Sequence, residues 1–187
     1  MKKGLIVLGV FALLVVLIGG WLISGYNRVV AMDEAVKTAW AQVDNQLKRR
    51  FDLIPNLVET VKGYAAHEKG IFENLATART KYFQTPDVKG KIEATGDFER
   101  ALSRLLMLRE TYPQLKANET FQKLMDSLEG TENRISVERK RYNDAVRTLN
   151  TYIRTVFGAF FANLAGVGKA EYYQVQEAEK ATPKVKF

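Results

Sequence analysis

A chain of 187 residues with a formal net charge of +7 and no cysteine has room for one folded domain and an anchor. It makes no disulfide, thiolate metal site, thiol nucleophile or cysteine-linked lipid. Its Lys and Arg are interspersed with Glu and Asp, a pattern of solvated helix faces rather than of a nucleic-acid surface, and one compatible with attraction to anionic lipid headgroups.

Residues 4–24, GLIVLGVFALLVVLIGGWLIS, carry no charged side chain. About 20 apolar residues in a helix span a bilayer core, so this stretch predicts a transmembrane helix. A cleaved signal peptide opens in the same way, but its apolar run is shorter, about 7–15 residues. Here the run continues directly into helical sequence, with Trp21 and Tyr26 where interfacial aromatics belong. Lys2 and Lys3 before the span, against Arg28 and Lys37 after it, favour a cytoplasmic N-terminus and an exported domain.

After the anchor, Val29, Val36, Trp40, Val43 and Leu47 recur with helical spacing and predict a helix over 26–50 that is continuous with the span. Asp52 reads as an N-cap with Pro55 in the following first turn, which predicts a second helix over 53–84. Its apolar side includes Ile54, Leu57, Val61, Ala65, Phe72, Leu75 and Tyr82. Residues 85–96, with Pro86, Gly90 and Gly96, read as a loop. A third helix is expected over 97–112, stopped by Pro113. A fourth follows the N-cap Asn118 and keeps its phase through Gly130 to residue 153. The expected fold class is all-α: an N-terminal transmembrane helix followed by an elongated antiparallel four-helix bundle. The segments are a cytoplasmic stub and span over 1–25, a bundle over 26–156, and an apolar segment with a C-terminal tail over 157–187.

Chemistry is sparse. His67 is the single histidine; catalytic zinc takes three protein ligands, and no HExxH pattern supplies them. A surface or hydrogen-bonded histidine on a helix is the expectation. Glu68, Glu132 and Arg139 fall in phase with the apolar stripes. Charges directed into a helical core must be paired, so these three predict a polar layer that links the second and fourth helices and fixes their register; the alternative is that the stripe shifts and they snorkel to water. The segment 156–168 is uncharged, aromatic and glycine-bearing, yet too short to cross a bilayer. It reads either as a cap on the bundle or as a surface that returns to the membrane. In the second case Phe157, Phe160 and Phe161 join Trp21 and Tyr26 at the membrane interface. No phosphate loop, nucleophile elbow or paired-carboxylate setting is present. No cofactor, metal site or catalytic residue is therefore expected.

Residues 39–68, AWAQVDNQLKRRFDLIPNLVETVKGYAAHE, resemble the signature of the bacterial LemA family. Tyr26-Asn27 is similar to that family's opening motif. Thr131-Glu132-Asn133-Arg134-Ile135 and Glu138-Arg139-Lys140-Arg141-Tyr142-Asn143 resemble its second block, and the closing Pro183-Lys184-Val185-Lys186-Phe187 resembles its end. The resemblance implies a membrane-anchored helical bundle without an assigned activity. It also implies an accessory role beside other envelope proteins, such as a membrane protease. The sequence thus reads as a non-enzymatic, self-associating scaffold or adaptor of the bacterial cytoplasmic membrane, with the bilayer and a second copy as partners. An envelope sensor or peptide- and ligand-binding module is the competing reading.

Overall fold

The structure, a computed structural model, describes residues 2–174. The closing 183–187 segment and the rest of the tail from 175 lie outside the described residues. Among the described residues six helices follow in chain order: α1 (Lys2–Lys62), α2 (Lys69–Gln84), α3 (Val88–Thr111), α4 (Pro113–Lys116), α5 (Glu119–Ile153) and α6 (Val156–Ala165). Among the described residues there is no strand, so the all-helical expectation holds.

The helices form two compact units. The first joins residues 1–40 to 141–170; the second contains 41–140 and the segment that begins at 171.

In the first unit, α1 carries the apolar N-terminal stretch. Its large apolar side chains from Ile6 to Ile18 are each 50–70% exposed, so nothing among the described residues covers them. The helix is long and apolar enough to cross a membrane. Further along, Val29 and Val36 of α1 and Val146 and Leu149 of α5 are buried. Trp40 meets Tyr142 edge-on with ring centroids 5.4 Å apart, and the Arg28 guanidinium lies 4.9 Å over the Tyr152 ring. These paired positions make α1 and α5 antiparallel within this unit.

In the second unit, the core is built on the inward face of α1: Val43, Leu47, Phe51, Ile54, Leu57 and Val61, spaced by three or four residues. Phe51 is fully buried between Tyr82 of α2, at 4.6 Å, and Phe98 of α3, at 4.4 Å. Helices α2 and α3 are antiparallel, tied by Lys81 to Asp97 at 2.5 Å near one end and by Tyr112 to Glu68 at 3.3 Å near the other.

Two sequence expectations are corrected. No helix begins at Leu53, and Asp52 is not an N-cap: α1 runs on through Pro55 to Lys62. Proline inside a helix removes the N–H that would reach the carbonyl four residues back, here that of Phe51. Arg79 of α2 supplies the missing donor, its Nε hydrogen-bonding the Phe51 carbonyl at 3.3 Å. The break falls instead at 63–68. Likewise, the loop expected over 85–96 is confined to 85–87, and 88–96 are helical. Asp87 caps α3, its carboxylate accepting from the Gly90 N–H at 2.7 Å, and burial of Ala94 and Thr95 holds the first turns in the helix. Local propensity was outweighed by a cap and by packing. Helix α5 starts at its Asn118 cap, which accepts from the Phe121 N–H at 2.9 Å, and continues through Gly130 as expected.

Candidate functional site

Two places collect the residues singled out by the sequence, one in each unit.

In the first unit, the chain turns sharply between α5 and α6. The Thr155 hydroxyl caps α6 by accepting from the Gly158 N–H at 3.0 Å. A Cβ at Gly158 would stand 1.9 Å from the Tyr152 carbonyl, so only glycine allows this approach. Helix α6 then lies on α1. Phe161 is 2% exposed and packs against Trp21, ring centroids 4.9 Å apart, while Phe157 meets the same indole at 5.3 Å. Gly25 makes room for the contact: a Cβ there would fall 2.2 Å from the Phe161 ring. Val29, Phe161 and Ala162 form a small buried core with Leu22, Tyr152, Ile153, Ala165 and Val167 around it. The structure therefore brings Trp21, Phe157 and Phe161 together. Phe160 contacts Phe161 at 5.2 Å but projects outward, half exposed. Tyr26 lies on the exposed side of α1. Asn150 closes the unit by bonding both backbone groups of Ala170, at 2.9 and 3.0 Å.

In the second unit, the polar residues do not form one layer. Glu68 precedes the first residue of α2 without a side-chain capping bond, and its carboxylate accepts from the Tyr112 hydroxyl. Glu132 and Arg139, both on α5, line a cleft of about 130 Å³ together with Arg50, Thr95, Glu99 and Tyr173. Arg50 organises it. The residue is only 7% exposed, and its Nη1 donates to Glu99 Oε1 at 2.7 Å and to Glu132 Oε2. A buried cation is tolerable only with such partners. Arg139 stacks 4.5 Å over the Tyr173 ring. Burial raises the Tyr173 hydroxyl pKa, with the Arg139 charge opposing that rise. The sequence reading missed Arg50 because it ended a helix there; once α1 runs through, Arg50 sits one turn from Leu47 and Ile54 on the buried face.

A second buried polar group was also missed. The Asp44 carboxylate accepts from Tyr82 at 2.5 Å, Lys48 at 2.7 Å and Lys91 at 2.9 Å. Burial alone would raise its pKa; the donors from Lys48, Tyr82 and Lys91 reverse that and hold it at about 2. Tyr82 is raised well above its ordinary value, first by burial and then by its hydrogen bond to Asp44. His67 is not on a helix but in the turn after α1, exposed. Among the described residues no three His, Asp or Glu side chains gather in a way that would hold a metal ion.

The arrangement offers an uncovered apolar helix, an apolar corner beside it and paired charges that clamp helices. Two magnetosome proteins of Paramagnetospirillum magneticum, MamQ 1 and MamQ 2, are each 29% identical to the chain, over 84% of it and 67% of their own length. The magnetosome protein MamQ of Magnetospirillum gryphiswaldense is 25% identical over the same shares. Residues 39–187 match the LemA family, and the chain belongs to that family.

Proposed function

We propose that this chain is a non-enzymatic scaffold or adaptor anchored in a bacterial cytoplasmic membrane. In this reading α1 crosses the bilayer once, the N-terminus is cytoplasmic, and an antiparallel four-helix bundle stands on the exported side. The observation that carries it is the first part of α1, whose apolar side chains find no cover among the described residues. Exposed apolar surface of that extent requires lipid. The LemA family and the MamQ relatives support a membrane-associated protein without catalytic machinery. The charges assembled in the second unit are neutralised by one another, as suits a rigid display surface rather than a reacting centre.

Self-association and contact with another envelope protein belong to the same proposal. Crosslinking in native membranes, followed by identification of the captured chains, tests both. Capture of a second copy or of a recurrent envelope partner is expected. A strict monomer in lipid, with no recurrent partner, overturns the scaffold reading. The cleft at Arg50 favours one competing reading, a module that recognises a partner's polar side chain. Its volume of about 130 Å³ lies below the roughly 300 Å³ of ordinary small-molecule sites, so a single inserted side chain is the occupant it would take.

A further inference from the structure

We infer that α6 is a second membrane element: a short helix whose outer face inserts into the acyl-chain boundary of one leaflet, beside the anchor. This rests on the reading of α1 as a membrane span and adds a contact which that reading does not require.

The argument begins with length and charge. Helix α6 has 10 residues, about 15 Å of helix, half of what a bilayer core requires. It is uncharged, and so is the chain around it, from the residue after Arg154 to the one before Lys169. A soluble cap of this size would bury one face and show polar groups on the other. Here Gly158, Phe161 and Ala162 are buried, while Val156, Phe157, Phe160 and Leu164 are exposed by 84, 62, 50 and 58%. At 3.6 residues per turn these four lie within about 100° of the helix circumference. They form one apolar stripe, not scattered surface residues.

Position identifies what covers the stripe. Phe157 and Phe161 contact Trp21, and Phe161 sits against Gly25. Trp21 lies inside the uncharged 4–24 segment, and Gly25 directly follows it. The level of Trp21 is about 6 Å along α1 from Gly25 toward the bilayer centre, taking 1.5 Å per residue. The stripe on α6 therefore continues the lipid-facing surface of the anchor at the depth where acyl chains begin. Three cations frame it. Arg154 and Lys169 bracket the apolar segment and are exposed, and Arg28 holds the end of α5 through the Tyr152 ring. Apolar residues at acyl depth with cations at headgroup level are the pattern of an interfacial helix, and that charge favours anionic lipid.

The full chain in vesicles of phosphatidylcholine with one part in five phosphatidylglycerol tests this. Without cysteine, it accepts single spin labels through Phe160→Cys or Leu164→Cys, with Val16→Cys as the lipid reference and Thr148→Cys as the aqueous one. Relaxation by oxygen is expected to exceed relaxation by a water-soluble nickel complex several-fold at 160 and 164, as at 16, and the order to reverse at 148. Nickel access at 160 and 164 equal to that at 148 overturns the inference. So does shielding from both reagents that vanishes in nanodiscs holding one copy, since a second chain would then be the cover. An aqueous label at 16 would instead defeat the reading of α1 itself. The unmodified chain gives a parallel test. Vesicles carrying a carbene precursor on the acyl chain should label the tryptic peptide between Arg154 and Lys169 as well as the anchor. Labelling of the anchor alone overturns the inference.

Discussion

The two units of this protein solve the same packing problem with opposite chemistry. In the first, around Gly25 and Phe161, helices meet through rings, small residues and backbone, and the surface left over is apolar. In the second, around Arg50 and Asp44, charged side chains enter the packed region and bind one another or the backbone. The difference teaches what each surroundings can tolerate. A charge pair needs water or partners to offset desolvation, and the second unit supplies partners. An apolar corner with an uncovered face needs a solvent that does not penalise it, and lipid is such a solvent.

The sharpest way to test the polar half of that contrast is to delete its buried cation. Arg50→Met removes the buried guanidinium that Glu99 and Glu132 share. A loss of about 3 kcal/mol is expected, read as a lower denaturation midpoint by circular dichroism in detergent. Adding Glu99→Gln and Glu132→Gln to the same chain should recover part of it. If the single substitution is neutral, the clamp does not hold the unit.

Asp44 gives a pH-dependent version of the same test. Its carboxyl is held down at about 2 in the folded chain, against an ordinary 3.8. Because the folded value is depressed, its contribution is complete above pH 3.8 and fades as pH falls toward 2. The shift corresponds to about 2 kcal/mol. The difference in stability between the native chain and Asp44→Asn should therefore shrink between pH 4 and pH 2. A difference that stays constant over that window would remove Asp44 from the account.

The apolar half is probed by filling the space Gly25 leaves. Gly25→Leu places side-chain atoms where the Phe161 ring sits, an overpacking cost of about 2 kcal/mol. Helix α6 is expected to lift from α1, with faster tryptic cleavage at Arg154 and Lys169 and an unchanged transition of the second unit. Unchanged cleavage would show that α6 is held by something other than this contact.

How much of this was legible in the sequence follows from the range of each signal. The anchor and α5 were readable because an uncharged run and an Asn118 cap are local. The extent of α1 was not, because Pro55 and Asp52 together imitate a helix start, and the group that reverses the signal, Arg79, lies on another helix. Asp87 was readable in principle as an N-cap, but Pro86, Gly90 and Gly96 outweighed it in a local reading. Arg50 and Asp44 could not be recognised without knowing which carboxylates and donors distant segments would bring. The aromatic residues of α6 stood out by composition; their partner Gly25 did not, since a glycine that makes room leaves no trace until its neighbour is known.

Pro55 yields the smallest effect and the most specific one. The Phe51 carbonyl lacks the intrahelical donor that residue 55 would normally offer, and Arg79 takes that role from α2. Arg79→Met should cost about 1 kcal/mol, the worth of one hydrogen bond to a partly exposed charged donor. Part of that loss has other sources, because Arg79 also stacks over Phe83 at 5.0 Å. A double-mutant cycle separates them. In a Pro55→Ala chain the new N–H can reach the Phe51 carbonyl itself, so Arg79→Met should then cost only the Phe83 stacking and the Asp52 ion pair at 3.9 Å. A coupling of about 0.5–1 kcal/mol between the two positions is expected. Additive losses would mean that α1 passes Pro55 unaided, and that the second unit uses its charges only on one another and not on the backbone.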